Sequence, residues 1–277
     1  MHHTLATPLR GLAAAALALL LHAAVYAQAQ AQTKPALAQP GVEPVSSAIY
    51  IGNSFFYYNN SMHGHIGQLV AAGRPVPSYR GVSATISGSG LDWHDVESYF
   101  RPDAVSRYSF DRDNNIRFNK PGERLFDVAV LMDCSQCPVH PTLKTVFTEY
   151  AKKHADTVRK YGAKPVFFMS WAYADKPEMT AELAQAYTVA GNANQAMVIP
   201  AGLAFARSVA SKPELNLYAP DKRHPSLAGT YLAACTVYAA LFGRSPVGLA
   251  YTAGLDEATA RHLQTVAWET VLAYFKP

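Results

Sequence analysis

The chain has 277 residues, of which 49% are hydrophobic and 16% charged, with a net charge of +4 at neutral pH. So weak a balance, with Lys and Arg scattered and never in runs, excludes a phosphate-tracking surface for nucleic acid. Set apart from its N-terminal segment, the chain has the length and apolar content of one ordinary domain with a full core.

In chain order, the first 27 residues read as an export signal. Arg10 is the only charge before "GLAAAALALLLHAAV", a run too short and too Ala-rich for a membrane span. Val25-Tyr26-Ala27 gives a small-x-Ala cleavage pattern, with Ala29 and Ala31 as later options. The product is expected to be periplasmic or secreted, with no membrane span left after processing. Residues 28–44, "QAQAQTKPALAQPGVEP", have little to bury and read as a flexible leader to a domain over 45–277.

That domain alternates strand and helix. Strands are expected at 46–52, 126–132, 164–169 and 196–199, with a weaker one near 79–85. Helices are expected at 61–72, 91–99, 142–161, 178–190, 225–242 and 256–274. The strands are short, continuous apolar runs, as in a parallel sheet covered on both faces. An α/β layered domain follows. Residues 101–124 are polar and turn-rich, and read as an insertion between helix and strand. Ligands of open α/β sheets sit outside the carboxyl ends of the strands. Ser54, "DCSQC" and "SWAYAD" all follow strand ends, so three polar loops meet on one rim.

A serine hydroxyl is a poor nucleophile until a base takes its proton, and the base needs a third group to hold it. "YAPDKRHPSLAGTYLAAC" supplies that pair, with Asp221 and His224 three residues apart in a loop before the helix start Pro225-Ser226. On a turn this spacing lets the carboxylate reach Nδ1 and leaves Nε2 to face a serine. At "IYIGNSFF", Gly52 permits a tight exit from the strand, Asn53 can tie the turn, and Ser54 stands at the rim. Phe55 to Tyr58 either pack the next helix or line the site.

"IYIGNSFF" and "DKRHPSLAGTYLAA" resemble the first and last blocks of the SGNH hydrolases, the GDSL-type esterases. They are most similar to a branch with Gly-Asn-Ser at the nucleophile and His-Pro-Ser after the histidine. "VAVLMDCSQCP", "PVFFMSWAYAD" and "VIPAGLAFA" resemble intermediate segments, in order across the domain. The resemblance implies a three-layer α/β/α, flavodoxin-like fold with a mostly parallel central sheet. It makes Ser54 the nucleophile, His224 the general base and acid, and Asp221 the orienting carboxylate. It also implies an oxyanion hole built from the Ser54 N–H, a glycine N–H and a side-chain amide. "TISGSGLDWH" supplies the glycine, with Gly88 favoured over Gly90 by its spacing to Leu91 and His94. The sequence departs from the family at the amide, where Gly-x-Asn-Asp is replaced by Asp133-Cys134-Ser135-Gln136. Gln136 has the right neutral donor, whereas an ionised Asp133 cannot stabilise an oxyanion.

The implied activity is ester hydrolysis, removing a short acyl group such as acetate, with a small-molecule or carbohydrate ester as substrate. Phe55, Gly90, Trp171 and Tyr173 are the candidates for substrate contact. Neither a cofactor nor a metal is expected. His63 and His65 lack a third ligand at fitting spacing, and the aspartates at 111, 113 and 133 lack the glycine and closing glutamate of a calcium loop. Cys134 and Cys137 can pair with each other, or one of them with Cys235; the third thiol then stays free. Two other functions are weighed: a catalytically silent carbohydrate-binding protein of this fold, and a thiol redox protein using Cys134 and Cys137.

Overall fold

The computed structural model describes residues 33–101, 108–118 and 124–276. Its centre is a five-stranded parallel sheet of β1 (Ser47–Gly52), β2 (Arg80–Thr85), β5 (Val128–Leu131), β6 (Lys164–Phe168) and β7 (Met197–Ile199), in the order β2-β1-β5-β6-β7. β1 pairs Ile49 with Val82 on one side and with Ala129 on the other. The order reverses between β1 and β5. In open α/β sheets ligands bind outside the carboxyl ends of the strands at such a switch point.

Helices cover both faces, which explains the unbroken apolar runs of the strands. One layer holds α2 (Met62–Gly73), α6 (Ala201–Ser211), α7 (Leu227–Phe242) and α8 (Glu257–Tyr274). The other holds α3 (Val96–Tyr99), α4 (Leu143–Lys160) and α5 (Met179–Ala193). The helix α7 is buried along almost its whole length, against α2, α6 and α8, so its sequence has no polar stripe. The mostly parallel three-layer α/β/α fold expected from the sequence is the one observed.

Three expectations need correction. The helix over 91–99 is broken into a 3₁₀ turn, Leu91–Trp93, and α3, because His94 between them is extended. Its ring is drawn inward to the carbonyl of Gly52, at 3.0 Å, and Asp95 then starts α3 afresh by accepting from the Ser98 N–H. The helix α6 was not expected; Ala and Gly hide its period. The insertion at 101–124 contains an antiparallel hairpin, β3 (Tyr108–Phe110) with β4 (Ile116–Phe118). Its turn is tied by Asp111, whose Oδ1 accepts from the N–H groups of Asp113 and Asn115. Residues 102–107 and 119–123 of the insertion, and the expected signal at 1–27, lie outside the described residues. The described part of the leader, 33–44, has neither helix nor strand. It is held at Asn192, which accepts from the Ala36 N–H and donates to the Lys34 carbonyl.

Among the described residues no helix is long and apolar enough to cross a membrane.

Candidate active site

The site is built at the carboxyl end of β1. Ile49 and Ile51 bury this central strand completely, and the chain leaves it through Gly52 into α1 (Ser54–Tyr57). Gly52 is required for close approach: a Cβ there would stand 3.0 Å from both the Met132 methyl and the Phe56 ring. Its carbonyl accepts from Ser89 Oγ at 3.2 Å and from His94 Nε2 at 3.0 Å. Burial holds His94 down at a pKa of about 4, so the imidazole behind the turn is neutral.

Asn53 joins three loops. Its Oδ1 accepts from the Phe55 N–H, capping α1, while Nδ2 donates to the carbonyls of Ser89 and Asp133. The loops after β1, β2 and β5 are thereby fastened at one buried amide. Gly88, on the second of them, has φ +71° and faces open space, a conformation suited to glycine. Among the described residues the backbone N–H groups of Ser54 and Gly88 make no hydrogen bond to protein.

Ser54 Oγ lies 2.7 Å from His224 Nε2, and Asp221 Oδ2 accepts from His224 Nδ1. A carboxylate accepts only, so Nδ1 carries the proton and Nε2 is the free base toward the serine. The hydrogen bond to His224 draws the Asp221 carboxyl down to about 2, helped by two backbone N–H donors, Arg223 and His224, on Oδ1 at 3.0 Å each. The loop bearing the pair is gripped from both sides. Ala174 N–H donates to the Lys222 carbonyl and Trp171 Nε1 to that of Arg223, while Asn59 Nδ2 donates to that of Pro225. Tyr58 stacks face to face on the imidazole, and Phe55 meets it edge-on.

The aromatic candidates are placed differently from the expectation. Phe55 and Trp171 are stacked 4.5 Å apart, and Trp171 continues onto Phe205 at 4.1 Å. Trp171 is 0% exposed and Phe55 4%, so these rings are packed behind the histidine loop. Tyr173 is also buried, under the Arg223 guanidinium, with its hydroxyl on Ser135 Oγ at 2.7 Å. Gly90 is buried too: a Cβ there would collide with the carboxylates of Asp92 and Asp133. Gln136 is exposed, and its carbonyl accepts from the N–H groups of Val139 and His140. It stands inside the short loop closed by the Cys134–Cys137 disulfide, which leaves Cys235 as a free, buried thiol in α7. No group of three His, Cys, Asp or Glu among the described residues is arranged to hold a metal ion.

Sequence reasoning missed Tyr58 and Asn59 as partners of the histidine loop. The spacing of Tyr58, one helical turn after Ser54, was the available signal. Asn59 acts through a side-chain bond to the Pro225 carbonyl, 166 residues away, that no local pattern announces.

Asp133 sits 3% exposed at the switch point, accepting from the Leu91 N–H at 2.7 Å. Burial outweighs that bond and raises its pKa to about 6. A carboxyl raised on folding keeps its proton longer in the native state, so it takes stability away as pH climbs from the unfolded value to about 6. Asp133→Asn, which stays neutral, should gain on the wild type by about 2–3 kcal/mol between pH 4 and pH 7. Denaturant melts of both proteins across that range check it; a pH-independent difference would contradict the assignment.

Comparison with solved structures finds the same fold. A DUF4886 family protein from Bacteroides uniformis superposes with a TM-score of 0.60 at 18% identity, over 83% of this chain and 96% of that one. A protein assigned as an SGNH hydrolase, from Slackia heliotrinireducens, gives 0.53 at 19% identity, over 71% and 98%. An acetylxylan esterase from Geobacillus stearothermophilus gives 0.52 at 13%, over 78% and 98%. The chain therefore has the fold of the SGNH hydrolases. No family model matches it, and neither does a curated protein.

Proposed function

We propose that the chain is an exported serine ester hydrolase that removes short acyl groups, acetate foremost, from a carbohydrate ester. The observation that carries this reading is the continuous relay from Ser54 Oγ through the imidazole of His224 to Asp221, at the switch point of the sheet. In the reaction His224 Nε2 takes the Ser54 proton as Oγ attacks the ester carbonyl. Asp221 keeps Nδ1 protonated and balances the imidazolium. The imidazolium then protonates the leaving alcohol, and an acyl-serine remains. Water, deprotonated by the same nitrogen, releases the acid and restores the serine. The backbone N–H groups of Ser54 and Gly88 are free to receive the oxyanion.

The carbohydrate part of the reading is supported by the fold shared with the acetylxylan esterase. Initial rates on chromogenic esters from acetate to octanoate, beside acetate release from acetylated xylo-oligosaccharides, test it. The expected result is fastest turnover of the acetate ester and acetate release from the sugar. No hydrolysis of any ester would leave a silent binding protein in its place.

As third oxyanion donor we propose Gln136, the neutral side-chain amide in the loop after β5. Gln136→Ala is expected to lower kcat by about 10²–10³ with KM little changed, because the bond strengthens only as the oxyanion forms. An unchanged kcat, or a rise in KM alone, would remove Gln136 from the site.

A further inference from the structure

Tyr58 lies one helical turn beyond Ser54, its N–H donating to the Ser54 carbonyl at 3.1 Å, so serine and ring face the same way. The ring is stacked on the His224 imidazole with centroids 4.2 Å apart and planes 11° from parallel. Resting on the Ser-His-Asp reading above, we propose that Tyr58 is a positioning residue that holds His224 toward Ser54 and stabilises its imidazolium across the ring face.

The contact is enforced by strained backbone. Asn59, Asn60 and Ser61 follow with φ of 53°, 65° and 66°, three left-handed residues in a row, none of them glycine. Such residues persist where their surroundings hold them. Here Asn59 Nδ2 donates to the Pro225 carbonyl at 3.0 Å and to Thr230 Oγ1 at 2.8 Å. The Asn59 carbonyl accepts from His65 Nε2 at 2.7 Å, and a carbonyl accepts only, so His65 Nδ1 accepts from the Tyr251 hydroxyl. The residue after Tyr58 is thus bolted to the residue after His224, and the two rings cannot drift apart independently.

While His224 is neutral, the stack is packing. Once it takes the serine proton, it becomes a cation against a π face, well within the distance at which such pairs attract. The other charged or titratable groups around it are Asp221 on Nδ1 and Lys222 and Arg223 on its own loop. Tyr173, from the loop after β6, meets Arg223 and not the imidazole; the edge-on Phe55 carries no charge.

Because the ring favours the charged imidazole, removing it weakens the step in which His224 takes the serine proton. The test is steady-state kcat and KM on a chromogenic acetate ester for the wild type, Tyr58→Phe, Tyr58→Leu and Tyr58→Met. The two aliphatic variants are expected to lose about 2- to 30-fold in kcat with KM unchanged. Tyr58→Phe should keep the rate. Aliphatic variants with kcat unchanged, or a Phe variant as impaired as they are, would overturn the role while leaving the triad standing. A wild type without esterase activity would overturn the underlying reading itself. Two aliphatic side chains are included so that the misfolding of one leaves the comparison intact.

Discussion

Ser54→Ala is expected to lower kcat for ester hydrolysis by on the order of 10⁶-fold, the scale seen when a serine hydrolase loses its nucleophile. The hydroxyl bonds to His224 and supports little else, so the folded state should lose at most about 1 kcal/mol. Asn53, Gly52 and the first turn of α1 remain to hold the loops together. Steady-state kinetics and a thermal melt on the same preparation check both halves of the prediction. A variant that kept wild-type turnover would mean that another group attacks the ester.

Asp221→Asn should cost about 10⁴-fold in kcat, for a reason specific to this loop. The backbone N–H groups of Arg223 and His224 both point at Oδ1. In the amide, that position must be the oxygen, since an NH₂ group would face two donors. The NH₂ group is then forced toward His224 Nδ1, which must accept, so Nε2 carries the proton and cannot take one from Ser54. The variant should fold and bind ester with a near-normal KM. Retention of kcat within tenfold would show that His224 does not depend on Asp221 for its tautomer.

Much of the site was legible because it rests on short-range chemistry. A turn of the Asp-x-x-His kind determines its own hydrogen bond, and strand periods determine which loops share the rim. The fold was legible for the same reason: four buried strands and a half-buried edge strand alternate with helical stretches, though Ala and Gly hid α6. What escaped depends on contacts between distant segments. His94 breaks a helix to reach the carbonyl of Gly52, 42 residues away. Trp171 looked like a rim residue from its place after a strand, yet its ring is packed between Phe55 and Phe205 and its N–H serves the histidine loop. Asp133 looked unable to help because an ionised carboxylate repels an oxyanion; its burial and raised pKa come from neighbours that the local sequence does not show.

The central claim is that Ser54 is a nucleophile activated by His224. It is tested most directly by treating the protein with a fluorophosphonate and mapping the adduct by peptide mass spectrometry. The account predicts one phosphonyl group per chain, on the peptide containing Ser54, absent from Ser54→Ala and formed far more slowly in His224→Gln. An unlabelled wild type, or an adduct on Ser135 or another hydroxyl, would contradict it.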